Sequence, residues 1–184
     1  AKVNFTDEEI ALIGQLLELQ VRDFARDDFY SFCQYMDPEF FTDKKWHLKE
    51  IAYAYEDIIN RKLDLLCVSV MPRAGKSYQL SLLCAWAIGK FPDGTIMRNS
   101  YSAELALDFS YDIRSMVQME KYLNIFPHIK LKRDRKAIQA WSLQSAKRLT
   151  YFCAGVGGSI TGKGCTIFGA SDDLIKGINE ALSP

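Results

Sequence analysis

The stretch Met71-Pro72-Arg73-Ala74-Gly75-Lys76-Ser77 sets a glycine, a lysine and a hydroxyl side by side. That set suits a polyphosphate. Backbone N–H groups of a glycine-containing turn wrap the phosphates, the lysine neutralises them, and the hydroxyl reaches a bound Mg²⁺. The full pattern, GxxxxGK[ST], occurs twice in imperfect form. The first copy, Val70 to Ser77, lacks the leading glycine. The second, Gly157-Gly158-Ser159-Ile160-Thr161-Gly162-Lys163-Gly164, keeps both glycines but carries Gly164 where the hydroxyl belongs.

Context separates the two. A phosphate loop must leave a buried strand and open a helix, so that the helix N-terminus faces the anion. Leu63 to Met71 (LDLLCVSVM) is an apolar, partly β-branched run of the kind expected for a strand buried on both faces. Ser77 to Ile88 follows with apolar residues at helical spacing, and Gly89 and Pro92 are expected to end that helix. The second copy runs instead into Cys165 to Ala170, another strand pattern, and reads as a turn between strands. A phosphate loop also needs a carboxylate at the tip of a neighbouring strand to help hold Mg²⁺. Asp172-Asp173 follows the Cys165–Ala170 run and fits that place. The plain alternative for such a pair is two acids opening a helix at Leu174, favoured by its dipole.

The elements that must position these groups follow from periodicity and punctuation. Thr6-Asp7-Glu8-Glu9 is a capping box, and Ile10, Ile13, Leu16, Leu17 and Val21 continue at helical spacing to about Arg26. Phe29 to Met36 is a second helix, broken by Asp37-Pro38. Phe40 to Lys45 is a loop, and Trp46 to Ile59 a third helix. Gly94 to Tyr101 reads as a strand, and Ser102 caps a helix to Met119. Tyr122 to Ile129 is a short amphipathic piece, and Ile138–Leu143 and Leu149–Ala154 are strands. Gly155 to Gly164 is a glycine-rich loop. Strands alternating with helices predict an α/β fold with a mainly parallel sheet flanked by helices, behind an N-terminal helical segment.

Composition limits the classes of function. The chain has 184 residues, 48% hydrophobic and 25% charged, with 23 basic and 23 acidic side chains and no net charge. Those are globular values, and a length of one domain, or one domain with a small appendage. A neutral total excludes a histone-like polycation and leaves room for a local basic patch. No apolar run approaches the roughly 20 residues that cross a bilayer, and the opening AKVNFTDEEI lacks the pattern of a secretion signal. Cys33, Cys67, Cys84, Cys153 and Cys165 form no CxxC pair, and His47 and His128 make no metal cluster alone. Buried, reduced thiols in a cytosolic protein are expected.

Five segments in order, from about residue 29 to the end, resemble the large terminases, the DNA-packaging ATPases of tailed bacteriophages. MPRAGKS is similar to their variant phosphate loop with an internal arginine. FTDKKWH (Phe41 to His47) resembles their upstream adenine-binding segment. Ser100-Tyr101-Ser102 and the run after it resemble the strand and helix beyond the loop. GVGGSITGKG resembles a characteristic turn, and Asp172-Asp173-Leu174-Ile175-Lys176 with Asn179-Glu180-Ala181 resembles the stretch after the magnesium-binding strand.

The resemblance implies a P-loop NTPase of the additional-strand type, with ATP and Mg²⁺ as cofactors. Pro72, Arg73, Ala74, Gly75, Lys76, Ser77 and Tyr78 would form the nucleotide loop, with Arg73 on the γ-phosphate and Trp46 and His47 near the base. Ser77 and Asp172 would hold Mg²⁺. Asp173 would be the catalytic acid, with Glu180 as second candidate because an Asp there has a shorter reach than the usual Glu. Arg114 or Arg148 would serve as an arginine finger for a neighbouring subunit, although a solvated surface position is the plainer role for either. The organisation implied is a helical segment with adenine-binding region over 1–60 and an ATPase core over 61–184, ending before the coupling motif and nuclease domain of the family. The implied partners are double-stranded DNA, portal protein and small terminase, in a homo-oligomeric ring at the procapsid portal vertex in the host cytoplasm, with no membrane.

Lys130 to Lys136 (KLKRDRK) holds five basic residues and one acid. It suits DNA phosphates or, more simply, a charged hairpin tip. Trp86 and Trp141 read as core. Alternatives to the motor are another P-loop translocase or helicase, although no DExH-type box is present, and a nucleotide-binding module without turnover. An assembly surface for portal and small terminase is compatible with the motor.

Overall fold

A computed structural model describes residues 5–133, 137–158, 162 and 164–175. The chain opens with α1 (Asp7–Asp27), capped by Thr6 through the expected capping box: Glu9 N donates to Thr6 Oγ1 and Thr6 N to Glu9 Oε2. The apolar positions of α1 face outward, and of this helix only Ala25 is buried. Its C-terminal end is held: the Arg26 guanidinium donates to Ile125 O, and Trp86 Nε1 to Ala25 O. Next come α2 (Phe29–Met36), with Asp28 as its cap, a single 3₁₀ turn over Asp43–Lys45, and α3 (Trp46–Ile59).

The remaining elements are α4 (Lys76–Lys90), β1 (Ile96–Ser100), α5 (Ala103–Met116), α6 (Glu120–Ile125), β2 (Ala140–Trp141), β3 (Tyr151–Gly155) and β4 (Phe168–Ser171). The sheet order is β2-β3-β1-β4. β1 runs parallel to β3 and to β4, while β2 is antiparallel to β3. The fold is therefore α/β with a four-stranded, mostly parallel sheet. Ser102 caps α5 as expected, its Oγ accepting from Leu105 N. The basic stretch begins as a hairpin arm: Leu131 bridges Leu143, and Lys132 N donates to Ser142 O. Residues 134–136 lie outside the described residues.

Three expectations are corrected. The strand anticipated over Leu63–Met71 does not form. Leu66, Val68 and Val70 pack half-buried on the core while Leu65, Cys67 and Ser69 between them are exposed, so the run keeps a strand's alternation. It has no ladder partner among the described residues. β4 is the edge strand of the sheet, and a cavity of about 250 Å³ lies between β4 and this run. A strand needs a neighbour to satisfy its backbone groups, and hydrophobic pattern alone does not supply one. Cys67 is consequently exposed, against the expectation of buried thiols, whereas Cys33, Cys84 and Cys153 are buried and Cys165 is intermediate. Gly89 does not end its helix either. It lies inside α4, where an added Cβ would come within 2.5 Å of the Phe126 ring, so its role is close packing.

Trp86 and Trp141 are core residues as expected. Around Trp86 the rings of Phe29, Phe32, Tyr55, Tyr122 and Phe126 join α2, α3, α4 and α6 in one aromatic cluster. Among the described residues no helix is long and apolar enough to cross a membrane.

Candidate functional site

The turn before α4 is unusual backbone. Arg73 has φ 64° and Gly75 φ 96°, both in the left-handed region. At Gly75 a side chain is excluded twice, by that φ and by the Phe40 ring, which would lie 2.7 Å from an added Cβ. Gly75 is the N-cap of α4 and no side chain caps the helix. The first-turn N–H groups and the positive end of the dipole therefore open toward the loop. Val70 through Tyr78, with Phe40 and Asp173, line a cavity of about 480 Å³. Pro72, Arg73, Ala74, Gly75, Lys76, Ser77 and Tyr78 thus share one concavity.

The N-terminal helical segment grips this turn. Tyr78 Oη lies 3.1 Å from Asp37 Oδ2, and Phe40 N donates to Asp37 Oδ1. The Phe40 and Tyr78 rings meet edge to face at 5.2 Å. His47 Nε2 donates to Ala74 O at 3.2 Å, so His47 touches the loop itself. Trp46 is 69% exposed and stands edge-on to His47, outside the lining of the cavity.

The acidic pair reaches the loop from the far end of the sequence. β1 and β4 end at the same rim, and the chain leaves β4 at Asp172 and Asp173. Asp172 N donates to Asn99 O, and Tyr101 N to Asp173 O. Asp173 has φ 49°, a strained setting for a non-glycine residue, held by that second hydrogen bond. Lys76 Nζ lies 3.0 Å from Asp173 Oδ1 and 3.1 Å from Asp172 Oδ1. Lysine and both acids, remote in sequence, therefore meet in one cluster.

A residue that the sequence reasoning passed over completes it. Arg98 points from β1 into the face of the sheet under α4 and is fully buried. Its Nη2 lies 2.8 Å from Asp172 Oδ2 and 3.2 Å from Ser77 O, its Nη1 2.7 Å from Ser81 Oγ, and its guanidinium stacks 3.6 Å above Phe109. The available signal was Arg98 itself, a charge in the middle of the strand Ile96–Ser100. Such a charge requires a buried partner. Burial pushes the Asp172 carboxyl up, but Arg98, with hydrogen bonds from Ser77 and Lys76, outweighs it and holds the group below its ordinary 3.8. Burial pulls Lys76 down, and the hydrogen bonds to Asp173 and Asp172 more than offset this, so its ammonium titrates above 10.5. Both therefore carry full charge at neutral pH.

Comparison with protein-family models, with curated proteins and with solved structures finds no match for this chain. An uncapped 15-residue helix, a left-handed turn with an invading aromatic ring, a lysine at the mouth and an ionised aspartate beside Ser77 make a cradle that fits a phosphate chain with a divalent cation. Among the described residues no three His, Cys, Asp or Glu side chains gather to hold a metal alone. Mg²⁺ held by one or two carboxylates together with substrate phosphates does not require such a group.

Arg114 does not join the cluster. It lines a separate basic cleft with Lys130, Lys132 and Arg133. Arg148 is exposed. Glu180, Lys163 and the centre of the second glycine-rich copy lie outside the described residues.

Proposed function

We propose that this chain is an ATPase domain of the large-terminase type, which hydrolyses Mg·ATP to drive double-stranded DNA into a viral procapsid. One observation carries the reading. Lys76 at the start of α4 and Asp172 and Asp173 at the end of β4 converge within 3.1 Å beside a cavity lined by the loop. In this reading Lys76, Arg73 and the first-turn N–H groups of α4 bind the phosphates, and Ser77 and Asp172 hold Mg²⁺. Mg²⁺, when bound, supplies charge neutralisation at the phosphate oxygens. Asp173, exposed at the mouth, orients and deprotonates water, with Glu180 as the other candidate. His47 holds the loop through Ala74 O, and Trp46 offers an exposed ring for a base. Catalysis would rest on positioning and electrostatics. The reading carries with it a ring of such subunits, an arginine finger drawn from Arg114 or Arg148, portal protein and small terminase as partners, and a place at the portal vertex in the host cytoplasm.

The test is Lys76→Ala. It should lose Mg·ATP binding and phosphate release together, and a retained hydrolysis rate would refute the assignment of this loop. A second reading, nucleotide binding without turnover, is favoured by the run Leu63–Met71 leading into the loop, which has no ladder partner among the described residues. Tight ATP binding with no phosphate released by the parent protein would select it.

A further inference from the structure

We propose that Arg98 is the positioning residue of the metal side of this site, setting how tightly Mg²⁺ is coupled to nucleotide. The inference rests on the nucleotide reading above and concerns a residue that touches neither phosphate nor base in it.

Arg98 reaches the two residues assigned to Mg²⁺, Ser77 through its carbonyl and Asp172 through Oδ2, with the same Nη2 atom. Its other terminal nitrogen is fixed by Ser81, whose hydroxyl in turn donates to Ser77 O at 3.1 Å. The Phe109 ring closes one face of the guanidinium. A planar fork bonded through both terminal nitrogens and stacked on a ring is held in one orientation by several contacts at once. Two consequences follow. Asp172 Oδ2 is committed to Arg98, so Asp172 presents a single oxygen, Oδ1, on the side where Lys76 Nζ stands. The first turn of α4 and the end of β4 are also tied by one side chain, so Ser77 and Asp172 keep their relation even before any ligand arrives. A buried Arg–Asp pair is weak evidence of stabilisation in its own right, because its desolvation offsets its attraction. Its fixed effect is on where Asp172 points. A lysine at 98 would keep the charge and lose the fork.

The experiment measures affinity for a fluorescent, non-hydrolysed ATP analogue with Mg²⁺ and with EDTA, in the parent protein and in Arg98→Lys. The ratio of the two affinities is the readout. Loss of an outer-shell partner typically weakens a metal site by about 10–100-fold, so the ratio should fall about tenfold in Arg98→Lys while affinity in EDTA, carried by Lys76 and the loop, stays within about threefold. In an Asp172→Asn background the same substitution should change the ratio no further. A merely structural role would lower the melting temperature and weaken binding equally in both buffers. If Arg98→Lys does not fold, Phe109→Leu, which removes the ring beneath the guanidinium, should lower the ratio in the same direction. An unchanged ratio in the folded variant overturns this assignment alone. Analogue binding with no Mg²⁺ dependence in the parent protein overturns this assignment alone, whereas no measurable affinity for the analogue in either buffer overturns the nucleotide reading and this assignment with it.

Discussion

The aromatic cluster around Trp86 and the charged cluster around Asp172 both pack on α4 and are built on opposite terms. The first joins four helices through rings that touch face and edge, and two of its polar handles donate to carbonyls: Trp86 Nε1 to Ala25 O and Tyr122 Oη to Ala85 O. Its stability comes from burial of apolar area and does not depend on the exact angle of any one ring. The second spends buried volume on Arg98, Asp172 and the stem of Lys76, together with two left-handed non-glycine residues at its mouth, Arg73 and Asp173. Those features are costly in a stable core and useful where charge must be held in place. Stability should therefore be carried mainly by the first cluster and function by the second.

The sharpest way to break this division is Trp86→Ala. It should cost about 3–5 kcal/mol in urea unfolding and leave the nucleotide affinity of the folded fraction unaltered. Comparable loss should follow from breaking the buried pair by half. Asp172→Leu alone should cost about 3–5 kcal/mol, whereas Arg98→Met with Asp172→Leu should recover most of it, because the uncompensated charge is then gone. A denaturation cycle over the two singles and the double measures this, and additive losses would show that the pair is not a closed unit. Gly89→Ala, back on the aromatic side, should cost about 1–3 kcal/mol by overpacking against Phe126, again without a change in binding.

A smaller stability effect with a larger functional one is expected at Asp173. Asp173→Asn tolerates the same φ and should shift stability by less than about 0.5 kcal/mol, yet slow hydrolysis about 100-fold or more if this residue is the base. Normal hydrolysis in that variant moves the role to Glu180. The finest contrast is in acid. Asp172 is held below its ordinary 3.8, so the unfolded chain takes up the proton first as the pH falls. Its contribution is complete above 3.8 and is lost as the pH drops through the lower folded value. Glu56 behaves with the opposite sign. Burial, opposed by its hydrogen bond from Phe29 N, raises it above 4.5, so its charged form disfavours the fold at neutral pH, and that penalty is relieved as the pH falls through its raised value. Unfolding curves against pH should flatten below 3.8 in Asp172→Asn, and above 4.5 in Glu56→Gln.

Sequence determined the local elements well wherever one short-range signal sufficed. The capping box placed α1, Asp37-Pro38 closed α2, Ser102 opened α5, and Trp46–Ile59 is the third helix to the residue. The loop was legible because glycine, lysine and hydroxyl are adjacent and α4 follows them directly. Tertiary structure alone decided three matters. Leu63–Met71 carries a strand's pattern, but a ladder depends on a neighbour far away in the chain, and among the described residues none is paired to it. Gly89 reads as a helix stop, but the approach of Phe126 makes it a packing position. Arg98 carries no motif, since a buried arginine is defined only by what surrounds it, and its partners Ser77, Ser81 and Asp172 come from two other elements. Hydrogen bonds within a turn or a cap are set by neighbours along the chain, whereas the direction of a buried charge is set by whatever the fold brings opposite it.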